Sequence, residues 1–176
     1  MQQKNIRKWE IGGVFFLVGV GTLLHFIYDW SYQSQWVSIF SPINESIWEH
    51  LKMGFWALVL FSLLEYRFIK NKTQNFFLAK GLGSLSLQWL IVIVFYSYTA
   101  FTNKPIMFID ISTFVLGCIL CQIVSYKILT KSKPKPVLNW LGLSILLVSA
   151  ALFVIFTFTP PQLILFQEPN TYLKGK

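Results

Sequence analysis

The fold of this chain is decided by residues 46–66, which read SIWEHLKMGFWALVLFSLLEY. The charge-free part of this stretch, Met53 to Leu64, is only 12 residues long. A helix of that length rises about 18 Å, whereas the hydrocarbon core of a bilayer is about 30 Å thick. A helix that spans the membrane here must therefore begin earlier, and we expect it to carry Glu49, His50 and Lys52 into the outer membrane region. Charged groups at that depth are costly unless they find partners or water.

The composition of the whole chain is that of a membrane protein. Of its 176 residues, 55 % are hydrophobic and 12 % are charged, and the mean hydropathy is +0.56. A soluble domain of this size has too much surface for its volume to bury so many apolar side chains. We therefore predict an all-α, polytopic membrane protein, with residues 1–176 forming a single transmembrane domain in the lipid bilayer. Its five transmembrane helices lie at about 11–29, 46–66, 80–101, 106–126 and 137–159, and residues 160–176 form an extracytoplasmic tail.

The net charge of +8 is explained by membrane topology. Eleven of the 15 lysines and arginines fall on one side, either before the first span or between later spans, and the positive-inside rule places that side in the cytoplasm. The N-terminus is then cytoplasmic and the C-terminus outside, in a multi-pass protein of the plasma membrane. We expect anionic lipids at the cytoplasmic face to be partners, and no nucleic acid. The eleven are Lys4, Arg7, Lys8, Arg67, Lys70, Lys72, Lys80, Lys127, Lys131, Lys133 and Lys135.

Both histidines and most carboxylates gather at the opposite, outer ends of the spans. His25 and Asp29 are four residues apart, so a helix places them on one face, one turn apart. Asp29 could fix the tautomer of His25, as orienting carboxylates do in catalytic and metal sites. The alternative is a polar pair that ends the helix and faces water.

Residues 44–52 form the densest polar stretch. Glu45 and Glu49 are again four residues apart, and His50 follows directly. With His25 and Asp29, these groups could ligate a divalent cation, and a mixed set of imidazoles and carboxylates suits zinc, manganese or iron better than calcium. They could equally hold a water molecule for acid–base chemistry. Ser46 and Glu49 also match a helix capping box, which accounts for Glu49 alone.

Two further carboxylates lie within the spans. Asp110 is near the outer end of the fourth span, and an intramembrane carboxylate is a functional candidate by default. Its expected partners are Lys52, Lys104 or His50, and a structural ion pair is the alternative. Glu65 is expected to pair with Arg67 or Lys80. The candidate catalytic residues are thus Asp29, Glu45, Glu49 and His50, and the candidate metal ligands are His25, Asp29, Glu49, His50 and Asp110.

The order of these motifs resembles a family of small, uncharacterised bacterial integral membrane proteins. Its hallmark is H-x-x-x-D-W, then P-x-N-E-S-x-W-E-H-L-K, then T-P-P, found here at 25–30, 42–52 and 159–161. The late family segment P-L-F-x-D-P is replaced by Ile164–Pro169, which carries Ile and Glu in place of Pro and Asp. The resemblance brings no established activity, so it implies where a site lies and not what the site does.

Three hypotheses for function remain at this point, and whether the chain is an enzyme is open. One is a membrane-embedded metal-binding or hydrolytic site that acts on a lipid or lipid-linked substrate, with a divalent metal such as zinc as cofactor. Another is a small carrier or channel for a cation or proton. Because the inner halves of the spans are mostly apolar, a continuous polar path has little support. The third is a non-catalytic assembly or interaction partner, either of another membrane protein or of a second copy.

Overall fold

The computed structural model describes residues 2–70, 73, 75–131 and 136–172. Within those ranges the chain is helical and contains no strand, and five helices are long and apolar enough to cross a membrane. The predicted all-α class and the five spans are therefore confirmed. The long helices are α1 (Gln2–Trp30), α2 (Ile47–Ile69), α3 (Phe76–Thr102), α4 (Met107–Leu129) and α5 (Pro136–Phe158), and α6 (Pro169–Tyr172) is short.

Two helices begin earlier than their apolar runs predict. The helix α1 starts at residue 2 rather than near 11, and α3 starts at 76 rather than near 80. The added turns are held by the bundle, since Ile6 and Glu10 of α1 are both buried. A hydropathy count stops at the first charged residue, whereas the helix continues wherever its backbone bonds and packing continue. Five of the lysines that bear on orientation, Lys72, Lys133, Lys135, Lys174 and Lys176, lie outside the described residues.

The bundle is built around α2 and α3. The helix α1 packs against α2 and α4, and α3 packs against α2, α4 and α5. An apolar layer at mid-height, which includes Leu17, Leu58, Leu87 and Cys118, joins the first four helices. We call the end where α1 ends and α2 begins the histidine end, after His25 and His50. The opposite end is called the lysine end, after Lys80.

The surface of the bundle is apolar, and charges lie inside it. Phe15 is 75 % exposed and Leu147 is 62 % exposed, whereas Lys52 and Lys80 have no exposed surface. In water, both the exposed apolar surface and the buried charged groups would be unfavourable. In a bilayer the exposed apolar side chains face lipid, and the charged groups find partners within the bundle.

A pair of glycines sets the distance between α3 and α5. A Cβ atom on Gly81 would lie 2.7 Å from the carbonyl oxygen of Gly142, and one on Gly142 would overlap the backbone at Leu78. Small residues at such a crossing let helix backbones approach closely, which is a main source of helix association in membranes.

We expect Gly142→Ala to destabilise the protein by about 2–3 kcal/mol, because the clash is with backbone that cannot rotate away. Thermal unfolding of the detergent-solubilised protein measures this loss. Gly19→Ala is the matched control, since a Cβ atom there meets nothing within 4 Å. Equal midpoints for the two variants would contradict the close crossing.

Candidate functional site

At the histidine end, the start of α2 is fixed by its cap. Ser46 has an extended backbone (φ −69°, ψ 151°), and its hydroxyl accepts a hydrogen bond from the Glu49 N–H at 3.3 Å. The side-chain oxygen of Asn44 in turn accepts from the Ser46 N–H at 3.0 Å. A capping box normally returns the glutamate to the capping residue. Here Glu49 reaches further back, and its Oε2 accepts from the Ile43 N–H at 3.0 Å.

Glu49 is also half of a buried ion pair. Its Oε2 lies 2.5 Å from Nζ of Lys52, and both side chains are buried. The same Nζ donates to the Ser38 carbonyl at 2.8 Å and to the Thr157 hydroxyl at 2.9 Å. The pair therefore joins α2 to α5 and to the connection between α1 and α2. The other oxygen, Oε1, lies 3.3 Å from the Thr157 hydroxyl. With both oxygens engaged in this way, Glu49 has a structural role and is a poor candidate for a free base or a metal ligand.

Three other polar side chains converge beside this pair. His25, Glu45 and His50 each offer a ligand atom, and these atoms all lie within 4.8 Å of one another. The distance between Nε2 of His50 and Oε2 of Glu45 is 3.4 Å. The two imidazole rings meet edge to face, with centroids 5.2 Å apart. We call these three residues the His/Glu cluster.

The orientation of His50 within the His/Glu cluster is fixed by the backbone. Its Nδ1 lies 2.9 Å from the Ser46 carbonyl oxygen, which can only accept a hydrogen bond. The hydrogen is therefore assigned to Nδ1. In the neutral ring this leaves the lone pair on Nε2, which points toward Glu45 and His25.

Glu45 reaches the His/Glu cluster because the preceding connection folds back on α1. The hydroxyl of Ser41 donates to the Leu24 carbonyl and accepts from the Tyr28 N–H. The turn after α1 places Tyr32 and Gln33 at positive φ, 54° and 60°. These contacts bring residues 41–46 back beside the end of α1, next to His25.

The remaining two predicted site residues lie apart from the His/Glu cluster. Asp29 is exposed at the end of α1, one turn beyond His25. Asp110 is half-buried, and its Oδ1 accepts from the Tyr98 hydroxyl at 2.7 Å. It lies within electrostatic range of His50, one of its three expected partners, whereas Lys52 is bound to Glu49.

A second polar cluster, at the lysine end, was missed as a site by the sequence reasoning. Nζ of Lys80 lies 2.9 Å from Glu10 and 2.5 Å from Glu65, and all three side chains are buried. The expected pairing of Glu65 with Lys80 is confirmed. Four of the mostly apolar helices each contribute one polar side chain here, and these side chains converge inside the bundle. The sequence feature that could have indicated this cluster is a single charged residue one or two turns inside an otherwise apolar run.

Comparison with known families gives one match, which spans almost the whole chain. The family is described as "Family of unknown function (DUF6512)", and it matches residues 1–175. The chain belongs to this family. The expected membership of a family without an assigned function is thus confirmed, whereas the bacterial origin and the hallmark motif stay predictions. No curated protein and no solved structure matches the chain.

We expect Lys52→Met to destabilise the protein by about 3–5 kcal/mol, because it leaves the Glu49 carboxylate buried without its partner. The double variant Glu49→Gln/Lys52→Met removes both charges and should recover most of that loss. Unfolding midpoints in detergent measure both effects as a double-mutant cycle. Lys104→Met, at an exposed position, is the control and should change stability little. Additive losses in the double variant would argue against the ion pair.

Proposed function

We propose that this chain binds a divalent metal ion, zinc before the others, at the extracytoplasmic face of the plasma membrane of a bacterial cell. The ligands are His25, Glu45 and His50. The observation that supports this most directly is the convergence of three ligand atoms within 4.8 Å, one of them on a histidine whose second nitrogen is held by a backbone carbonyl.

The donor set suits zinc. Two imidazoles and one glutamate are the protein ligands of a large class of catalytic zinc sites. With bond lengths of about 2.0–2.1 Å, tetrahedral donors lie about 3.4 Å apart, so contraction from 4.8 Å needs only small side-chain rotations. The bond from His50 Nδ1 to the Ser46 carbonyl is the outer contact that metal-bound histidines commonly make.

Three protein ligands leave one coordination position for water or substrate. A zinc-bound water ionises near neutral pH and is then a nucleophile for hydrolysis. The side chain of Glu45 is 64 % exposed, so water and lipid headgroups can reach the metal position. Asp110 lies within electrostatic range of His50 and is a candidate proton acceptor. The reaction class is therefore metal-assisted hydrolysis of a lipid or lipid-linked substrate.

An ion pair between a protonated His50 and Glu45 would also give the 3.4 Å contact. The position of His25 favours the metal over that pair. Its ring lies 5.2 Å from that of His50, and it offers a third ligand atom within 4.8 Å of the other two, which an ion pair between His50 and Glu45 does not require. A metal ion instead draws both neutral rings to one point, which explains why the two histidines of the chain lie side by side.

Purified protein stripped with chelator should take up about one equivalent of zinc, the stoichiometry of a single mononuclear site, and gain thermal stability on binding. Loss of an outer hydrogen bond to a ligand weakens metal binding by up to about 100-fold. Loss of a ligand should cost more, so His50→Ala and His25→Ala should each weaken zinc binding by more than about 100-fold. Metal content by mass spectrometry and the unfolding midpoint with and without zinc measure this.

Asp29→Asn is the matched control, because Asp29 neighbours His25 on α1 but is not part of the His/Glu cluster. It should bind zinc as the unchanged protein does. Zinc uptake that is absent, or that is unaffected by either histidine substitution, would leave the ion pair as the correct interpretation.

The proposed orientation rests on the basic residues. Lys4, Arg7 and Lys8 are exposed at the start of α1, at the lysine end. Anionic lipids of the cytoplasmic leaflet attract such residues by about 1 kcal/mol each. The lysine end is then cytoplasmic, and the His/Glu cluster faces outward.

A C-terminal fusion provides the test of orientation. With five spans and a cytoplasmic N-terminus, alkaline phosphatase fused to the C-terminus should be active, and green fluorescent protein at the same position should stay dark. The reciprocal pattern is expected for fusions in the connection between α2 and α3. A fluorescent C-terminal fusion would reverse the orientation and place the His/Glu cluster in the cytoplasm.

A further inference from the structure

The cluster at the lysine end holds more acid than base. It consists of Glu10 from α1, Glu65 from α2, Lys80 from α3 and the hydroxyl of Ser125 from α4. Glu10 is 3 % exposed, and the other three have no exposed surface. With every group ionised, two carboxylates face one ammonium, and the cluster carries a net charge of −1.

The surroundings do not offset that charge. The rings of Phe61 and Phe76 lie within 6 Å of the Lys80 ammonium. Cys121 of α4 is a further titratable neighbour of the cluster, and a neutral thiol leaves its charge unchanged. Across the described part of the chain, Lys80 is the cation that contacts these carboxylates. An unbalanced charge in such a site is strongly unfavourable, so the group takes up a proton or another cation instead.

The cluster has fewer hydrogen-bond donors than acceptors. Nζ of Lys80 contacts Glu10 at 2.9 Å, Ser125 at 2.9 Å and Glu65 at 2.5 Å, which engages all three of its N–H groups. The Ser125 hydroxyl donates to the same Glu10 oxygen, Oε1, at 2.8 Å. Within the described ranges, Oε2 of Glu10 and Oε1 of Glu65 receive no hydrogen bond.

We propose that Glu10 and Glu65 share one bound proton, so that this cluster is a proton-binding site inside the bundle. Both carboxyl groups contact the same ammonium, with Nζ of Lys80 at 2.9 Å from Oε1 of Glu10 and at 2.5 Å from Oε2 of Glu65. A proton on either one forms an O–H···O bond between them and brings the net charge of the cluster to zero. Like-charged carboxylates at such a distance do not both stay ionised in a dry site.

Further polar groups extend from the cluster toward mid-height. Gln122 is 2 % exposed, and neither atom of its amide has a partner among the described residues. It lies against Gly13, one turn along α1 from Glu10. On α3, Gln88 donates to Ser84 at 2.9 Å, and these residues follow Lys80 at intervals of four. From Lys80 to Gln88 they span about 12 Å along the helix, up to the level of Leu87 in the mid-height apolar layer.

Infrared spectroscopy of the purified protein tests for the shared proton. The spectrum at neutral pH should contain the carbonyl stretch of a neutral carboxylic acid, which is separate from the carboxylate bands. Glu10→Gln and Glu65→Gln should each abolish this band, because the single remaining carboxylate then balances Lys80. Glu168→Gln, at an exposed position, is the control and should retain the band.

Isotope labelling makes the test independent of variant folding. Incorporation of glutamate with a ¹³C-labelled carboxyl group should shift the band in the unchanged protein, whereas labelled aspartate should not. A band that persists in Glu65→Gln, or that shifts with labelled aspartate, would place the proton elsewhere. An unchanged protein with no such band, stabilised by sodium, would indicate a bound metal cation and overturn the proposal.

Discussion

Charge buried inside a membrane-spanning bundle is the constraint on which this structure depends. The helix α2 carries buried charged residues near both ends, with Glu49 and Lys52 at one end and Glu65 at the other. It is also the span that lies deepest in the bundle, with 56 % of its apolar window buried against 17 % for α5. A charge on a helix that faced lipid would cost several kcal/mol without any partner. The other four helices are therefore arranged so that their polar side chains meet those of α2.

The five spans and the depth of α2 follow from the sequence because both depend on length and hydropathy alone. Twelve charge-free residues cannot cross the hydrocarbon core, and α2 does begin ahead of them, at Ile47, so that it includes Glu49, His50 and Lys52. The grouping of site residues follows only in part. Of the six candidate side chains, three converge, and the decisive one is Glu45. It reaches His25 through a turn with Tyr32 and Gln33 at positive φ, which no glycine or asparagine in the sequence signals.

The cluster at the lysine end shows a different limit of sequence reasoning. Glu10, Glu65, Lys80 and Ser125 come from four helices and are separated by up to 115 residues. Each appears on its own as a single polar residue near the end of an apolar run, typical of an interfacial position. Their meeting depends on the rotation of every helix about its axis. That rotation is set by packing, including the contact of Gly81 with Gly142, which hydropathy does not describe.

The two buried lysines differ in the number of carboxylates that they contact. This difference distinguishes a structural ion pair from a cluster with unbalanced charge. Lys52 faces one carboxylate, and its remaining donors are satisfied by Ser38 and Thr157, so the group is neutral and closed. Lys80 faces two carboxylates, and among the described residues Oε2 of Glu10 and Oε1 of Glu65 have no hydrogen-bond donor; from this imbalance we infer a bound proton. The two glutamates of α2 lie about 24 Å apart along the helix, with the mid-height apolar layer between them. The proton binding that we propose at one end and the metal binding that we propose at the other would therefore be separate properties of one bundle. The balanced Glu49–Lys52 pair fixes the start of α2, beside which the His/Glu cluster lies.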